Sequence, residues 1–139
     1  MHDGKSVMEE AIIYKEEIYA IIGACFEVYN VMGCGFLEAV YQKSLEREFL
    51  LRDISFVSQK RINLNYKGFE IDQDYVADFE CFEKIILEIK SSSGLTDVHR
   101  AQTLNYLKAT NYKVGLLVNF GHFKPLEWER LVLTEKVEF

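Results

Sequence analysis

The chain has 139 residues, 49% of them hydrophobic and 14% aromatic, and a net charge of −6. That size and richness favour one folded domain over residues 1–139 and exclude a disordered or low-complexity chain. The acidic balance argues against a simple electrostatic nucleic-acid binder, which carries a basic stripe, but acidic metal ligands would add to the same count. No apolar run is long enough to span a membrane, and Met1-His2-Asp3-Gly4-Lys5 is not followed by a signal-peptide core. Cys25, Cys34 and Cys81 show neither C-x-x-C nor zinc spacing, and they read as reduced thiols of a cytoplasmic protein.

Residues 8 to 32 read as a long amphipathic helix with Ile18, Ile22, Cys25, Phe26 and Tyr29 at helical spacing, stopped by Gly33-Cys34-Gly35. A second helix is expected from Phe36 to Leu51, its apolar stripe being Leu37, Tyr41, Leu45 and Phe49. Glu38 lies beside that stripe; taken alone it is a favourable acid in a first helical turn. Tyr41 reads as core packing. Strand territory follows, with Ile62, Leu64 and Tyr66 alternating, a turn at Lys67-Gly68, and Phe69 and Ile71 alternating again. Beyond the loop Ser91-Ser92-Ser93-Gly94, Thr96 caps a helix from Asp97 to Thr110 whose apolar face is Val98, Ala101, Leu104 and Leu107. His99, Gln102 and Tyr106 share another face. Asn111 is a left-handed stop, Lys113 to Phe120 a further strand, and Leu126 to Leu133 an edge strand or a short helix. Strand, helix and strand from Ile85 to Asn119 make a parallel crossover, while the earlier hairpins are antiparallel. The expected fold is therefore α/β, with a mixed central sheet flanked by helices.

The stretch from Asp78 to Lys90 carries the chemistry. Tyr75, Ala77 and Phe79 are expected on one side of a strand and Val76, Asp78 and Glu80 on the other. Lys84, Ile86, Glu88 and Lys90 share one face of the next strand. A hairpin centred near Glu83 sets Asp78 across from Glu88, and like charges directly opposite are destabilising. A single E-x-K is most often a solvated strand face. Here the neighbours Ile85, Ile86, Leu87 and Ile89 imply a strand buried on both sides, where Glu88 and Lys90 are costly unless paired or bound to a metal. Lys60, Arg61, Lys67, Lys84, Lys90, His99, Arg100, Lys108 and Lys113 all lie in the middle and later part of the chain.

With Asp78 and Glu88-Ile89-Lys90 on consecutive strands, this order of elements resembles the core of the PD-(D/E)xK nuclease superfamily, the restriction-endonuclease-like fold. Gly35-Phe36-Leu37-Glu38-Ala39-Val40-Tyr41 is similar to the motif of its prokaryotic GxxExxY family. So are His99-Arg100-Ala101-Gln102-Thr103-Leu104-Asn105-Tyr106-Leu107 and Leu117-Val118-Asn119-Phe120-Gly121. The likeness runs from about Glu16 to Leu133. Two positions depart from the pattern: Ala77 stands where the superfamily has proline, and Val76 where the family has arginine.

The resemblance implies a nuclease in which Asp78, Glu88 and the Ile89 carbonyl ligate Mg²⁺ or Mn²⁺, with Glu38 completing the shell. It implies that Lys90 stabilises charge on the phosphate, that Gln102 orients a ligand or contacts substrate, and that Tyr106 and His99 support them. Their plainer roles are a core aromatic with a satisfied hydroxyl and a surface helix residue. Three carboxylates and one ammonium leave about two negative charges uncompensated, which a divalent ion would balance; without it a carboxylate pKa should rise. The implied partner is nucleic acid, DNA ahead of RNA, with a homodimer or protein partner helping an acidic domain to grip it. The competing expectation is a catalytically silent nuclease-fold module that binds or oligomerises.

Overall fold

The computed structural model describes residues 13–133. Helix α1 spans Lys15–Met32 and helix α2 spans Glu38–Leu51. The part of the expected first helix at residues 8–12 lies outside the described residues. Ile13 and Tyr14 form a turn, and Tyr14 is left-handed at φ 58, so the helix begins at Lys15. Ile18, Ile22 and Cys25 are buried as expected, joined by Ile21, Ala24 and Val28, while Phe26 falls outside that stripe and is exposed. Gly33, at φ 77, ends α1 with its N–H on the Tyr29 carbonyl. Helix α2 begins two residues later than expected. Leu37 is its N-cap, extended at ψ 157 and 80% exposed, so the stripe reduces to Tyr41, Leu45 and Phe49, all fully buried.

Seven strands follow. They are β1 Phe56–Arg61, β2 Leu64–Tyr66, β3 Phe69–Ile71, β4 Val76–Cys81, β5 Ile85–Lys90, β6 Val114–Asn119 and β7 Glu127–Val132. Helix α3, Asp97–Thr110, crosses from β5 to β6. The main sheet has the order β1-β4-β5-β6-β7, with β5 and β6 parallel and the other neighbours antiparallel. The expected mixed sheet between helices is thus present. Strand β1 had no sequence signal, because its half-buried positions are Phe56, Ser58 and Lys60, and only one of these is apolar. The strands expected from Ile62 to Ile71 form a separate two-stranded hairpin instead, turned at Lys67 (φ 52) and Gly68 (φ 80). Two left-handed central residues suit a tight hairpin.

Helices α1 and α2 cover one face of the sheet, packing on Phe79, Ile85, Leu87, Ile89, Leu116 and Val118. On the other face α3 packs Leu107 with Ile86, Ala77 and Tyr75. Phe79 and Ala77 therefore lie in different cores, contrary to simple alternation along β4. The phase slips at Asp78, opposite which Gln59 is left-handed at φ 56 and the β1–β4 pairing is interrupted. The face expected of α3 is corrected in part: Leu107 is buried and Leu104 half-buried as expected, but Val98 and Ala101 are exposed and Thr103 is buried. The caps are as expected, Thr96 before the helix and Asn111, at φ 64, after it.

The end of β6 is clamped to the loop after β5. Asn119 is fully buried; its Oδ1 accepts from the Ser92 and Gly121 amides, and its Nδ2 donates to the Ser92 carbonyl and to Glu127. Phe120 stacks on Tyr41 at 4.5 Å. A Cβ at Gly121 would lie 2.4 Å from the Ser92 backbone nitrogen and oxygen. Backbone cannot yield as a side chain can, so Gly121→Ala is expected to destabilise the fold by about 2 kcal/mol or more, measured by urea unfolding.

Candidate active site

The β4–β5 ladder pairs Cys81 with Ile85, Glu80 with Ile86 and Phe79 with Leu87, and then stops. The next step would set Asp78 opposite Glu88, the predicted register. There side chains replace the ladder: the Asp78 N–H donates to Glu88 Oε2 at 2.7 Å, and the Ile89 N–H donates to Asp78 Oδ2 at 2.8 Å. Each carboxylate is held by one backbone amide of the opposing strand. No hydrogen bond among the described residues reaches the remaining oxygens, Asp78 Oδ1 and Glu88 Oε1.

Burial pushes the Glu88 carboxyl well above the ordinary range, and the charge on Asp78 adds to the rise. Burial likewise raises Asp78; the Ile89 amide and Lys90 offset part of this, and Glu38 opposes them. The expected rise of a carboxylate pKa in a site with surplus negative charge is present at both positions. Nearby Glu80 is a useful contrast. It is equally buried, but it accepts from the Tyr112 hydroxyl at 2.6 Å and has Lys60 at 3.8 Å. Glu80 is a satisfied structural acid, whereas Asp78 and Glu88 are short of positive partners.

Lys90 follows on the same face of β5, and its Nζ donates to Gln102 Oε1 at 3.0 Å. Gln102 is thus brought to the site through Lys90. From the other helical layer, Glu38 opens α2 and lines a groove of about 350 Å³ with Gln42, Glu46, Gln59 and Asp78. The site sits where the sheet is splayed, with α2 on one side and α3 on the other.

The supporting residues divide. The Tyr106 hydroxyl donates to the Val76 carbonyl at 2.7 Å and its ring stacks on Tyr75 at 4.5 Å, which fixes the strand just before Asp78. Burial, then the charge on Glu88, holds its phenol protonated. His99 is not drawn to Lys90: its Nδ1 accepts from the Thr96 N–H, and its own N–H donates to Thr96 Oγ1. It caps α3, a role that any first-turn residue of that reach can play. Ile89 contributes its amide to Asp78.

Among the described residues, no three acidic, histidine or cysteine side chains close into a metal cage. The expected set of Asp78, Glu88, Glu38 and the Ile89 carbonyl is therefore not assembled as a closed shell. A hard divalent ion needs less than that. Mg²⁺ usually takes one or two carboxylates and keeps several waters. A buried and a half-buried carboxylate, each with one oxygen lacking a protein donor among the described residues, fit that demand.

A model of the PD-(D/E)XK nuclease superfamily matches residues 15–131. The chain belongs to that superfamily. Its fold is also similar to the crystal structure of SSO0001, at a TM-score of 0.56 and 18% identity over 70% of this chain. The match spans about half, 51%, of that protein. No curated protein matches the sequence. As a superfamily member the chain has a nuclease fold, and the Asp, Glu-x-Lys order of the superfamily name is met by Asp78, Glu88 and Lys90 on β4 and β5.

Sequence reasoning passed over Gln42. It is buried on α2, and its Nε2 donates to the Asp78 carbonyl at 3.0 Å and to Ser58 Oγ at 2.8 Å. The available signal was its position four residues after Glu38, hence on the same helical ridge. Tyr41 is confirmed as core. Its hydroxyl donates to the Gly33 carbonyl and accepts from the Phe36 N–H, tying down the turn that aims Glu38.

Proposed function

We propose that the protein is a cation-dependent nuclease that hydrolyses phosphodiester bonds of nucleic acid, DNA ahead of RNA, at Asp78, Glu88 and Lys90. The observation that carries this reading is the pair of carboxylates, Glu88 buried and Asp78 half-buried, held by each other's strand, short of positive charge and flanked by one lysine. Asp78 and Glu88 would hold Mg²⁺ or Mn²⁺, with Glu38 adding negative potential from α2. When bound, the ion supplies Lewis-acid polarisation of the phosphate and a more acidic water. Lys90 places an ammonium against the developing phosphate charge. Gln102 holds Lys90 Nζ in position. Gln42 fixes the Asp78 backbone. The motif from Gly35 to Tyr41 supports a place in the GxxExxY branch, and Cys25, Cys34 and Cys81, free in the structure, suit a cytoplasmic protein.

The test uses the purified chain with single-stranded, duplex and branched DNA and with RNA, in Mn²⁺, in Mg²⁺ and in chelator. Cleavage that needs the ion and is lost in Asp78→Ala supports the reading. No cleavage across that panel overturns it. A companion measurement is thermal stability. At an ion concentration one hundred times its Kd, Mn²⁺ should add about 2.7 kcal/mol, and Asp78→Ala should remove the gain.

A further inference from the structure

Among the described residues the β2–β3 hairpin pairs with no other strand. Leu64, Tyr66, Phe69 and Ile71 share one of its faces, since Leu64 pairs with Ile71 and Tyr66 with Phe69. Tyr66 is 63% exposed and Phe69 75%. Strands of three residues standing alone are marginal in water, so two bare aromatic rings at their tip need another explanation. Lys67 sits between them in the turn, its Nζ 5.4 Å from the centre of the Tyr66 ring.

The hairpin is joined to the active-site end of the sheet. It connects Arg61, the last residue of β1, to Val76, the first of β4, and Arg61 pairs with Val76 two residues before Asp78. Between the hairpin and α3 runs a trough of about 590 Å³ with Asn63, Asn65, Tyr75, Asn105 and Lys108 along it. On α3, Gln102, Asn105 and Lys108 follow one another at intervals of three, and all are exposed. That ridge leads in steps of about 4.5 Å from the glutamine that holds Lys90 to a lysine at the far end of the trough. The acidic Glu70 and Asp72 face a separate hollow with Arg61.

Amides and a lysine line the trough, and the hairpin that supplies Leu64 and Asn65 to it carries the two solvent-exposed rings at its tip, on the face of Leu64; together these are the chemistry of single-stranded nucleic acid. Bases stack on aromatic faces with little regard to sequence, amides bond base edges, and lysines track the phosphates. A duplex keeps its bases stacked on each other and offers the rings nothing.

We propose that this trough carries unpaired nucleotides to the site, with Tyr66 and Phe69 as stacking platforms and Asn105 and Lys108 along the strand. The substrate is thus a single strand or the unpaired arm of a branched nucleic acid. This rests on the nuclease reading above for its location, but its test does not depend on cleavage.

Fluorescence anisotropy with labelled oligothymidylate, a single-stranded RNA and a duplex of equal length, all in chelator, reads binding alone. The wild type should bind the single strands more tightly than the duplex. The double variant Tyr66→Ala/Phe69→Ala should lose about ten-fold or more of single-strand affinity and leave duplex affinity unchanged. Lys108→Ala, on the α3 side of the trough, should lower the slope of log affinity against log salt by about 0.7. Tyr19→Ala, an exposed aromatic on α1, is the control and should change nothing. These results would stand even if no substrate were cut, in which case the catalytic reading alone fails. Cleavage with unchanged single-strand affinity in both test variants overturns the trough and leaves the site standing. Preference for duplex, or no oligonucleotide binding together with self-association that the double variant abolishes, also overturns it; the latter would assign the rings to a protein contact.

Discussion

Glu88→Gln is expected to raise the melting temperature of the cation-free protein at pH 8 and, in the same molecule, to abolish cleavage. Glu88 is 4% exposed, has one backbone amide and a second carboxylate beside it, and among the described residues forms no salt bridge, Lys90 offsetting only part of the rise. Its carboxyl keeps its proton up to about 8, whereas in the unfolded chain it would titrate near 4.5. The folded chain therefore binds protons that the unfolded chain has already released, and stability falls as pH rises from about 4.5 through about 8. A glutamine oxygen can still accept from the Asp78 amide without carrying charge. Removing one charge also relieves Asp78, because the two titrate as a pair. The gain should be of the order of 2–4 kcal/mol at pH 8, shrinking towards zero below pH 4.5, where the native glutamate is protonated as well. Differential scanning fluorimetry across that range in chelator reads it directly. A melting temperature that falls in Glu88→Gln at pH 8 would mean that the charge is compensated by something other than an added ion. Stability sacrificed at one residue and recovered on binding is the usual mark of a functional site.

The elements that the sequence revealed are those whose periodicity and caps agree with their tertiary role. Helix α3 runs from Asp97 to Thr110 as expected because Thr96 and Asn111 punctuate it chemically, whatever packs against it. Its buried face was legible only in part: Leu107 is buried as its spacing implies, but Val98 and Ala101 look apolar and are exposed, while Thr103 meets the sheet. Small and polar residues can fill a tight crossing; Thr103 Cγ2 would lie 2.9 Å from a Cβ at Gly115, so a larger side chain has no room there. Strand β1 was invisible for a related reason. Its Ser58 and Lys60 face groups on other elements, Gln42 and Glu80, that only the fold assembles. The Asp78–Glu88 register was legible because a tight hairpin leaves a single arithmetic for its pairs, but the slip at Asp78 was not. It depends on Gln59 taking a left-handed conformation in the neighbouring strand, which nothing local to Asp78 encodes. Gln102 could be placed near the site from its motif, while its contact with Lys90 needed the crossover geometry.

Lys90→Ala is expected to lower turnover by about 10²–10³-fold while leaving the stabilisation by Mn²⁺ in place. The lysine adds no metal oxygen, so its loss spares the carboxylates that would hold the ion; removing the ammonium slightly raises their pKa values and shifts the ion's pH dependence upward. Gln102→Ala should do less, about ten-fold, because it frees Lys90 Nζ to wander without removing its charge. The two losses should not add. In Lys90→Ala the glutamine has lost the group it positions, so Lys90→Ala/Gln102→Ala should be close to Lys90→Ala alone. Single-turnover kinetics on one defined substrate at saturating Mn²⁺ separates these cases. A double variant showing the product of the two losses would mean that Gln102 contacts substrate independently of Lys90. A Lys90→Ala enzyme cleaving at the wild-type rate would place the chemistry elsewhere in the fold.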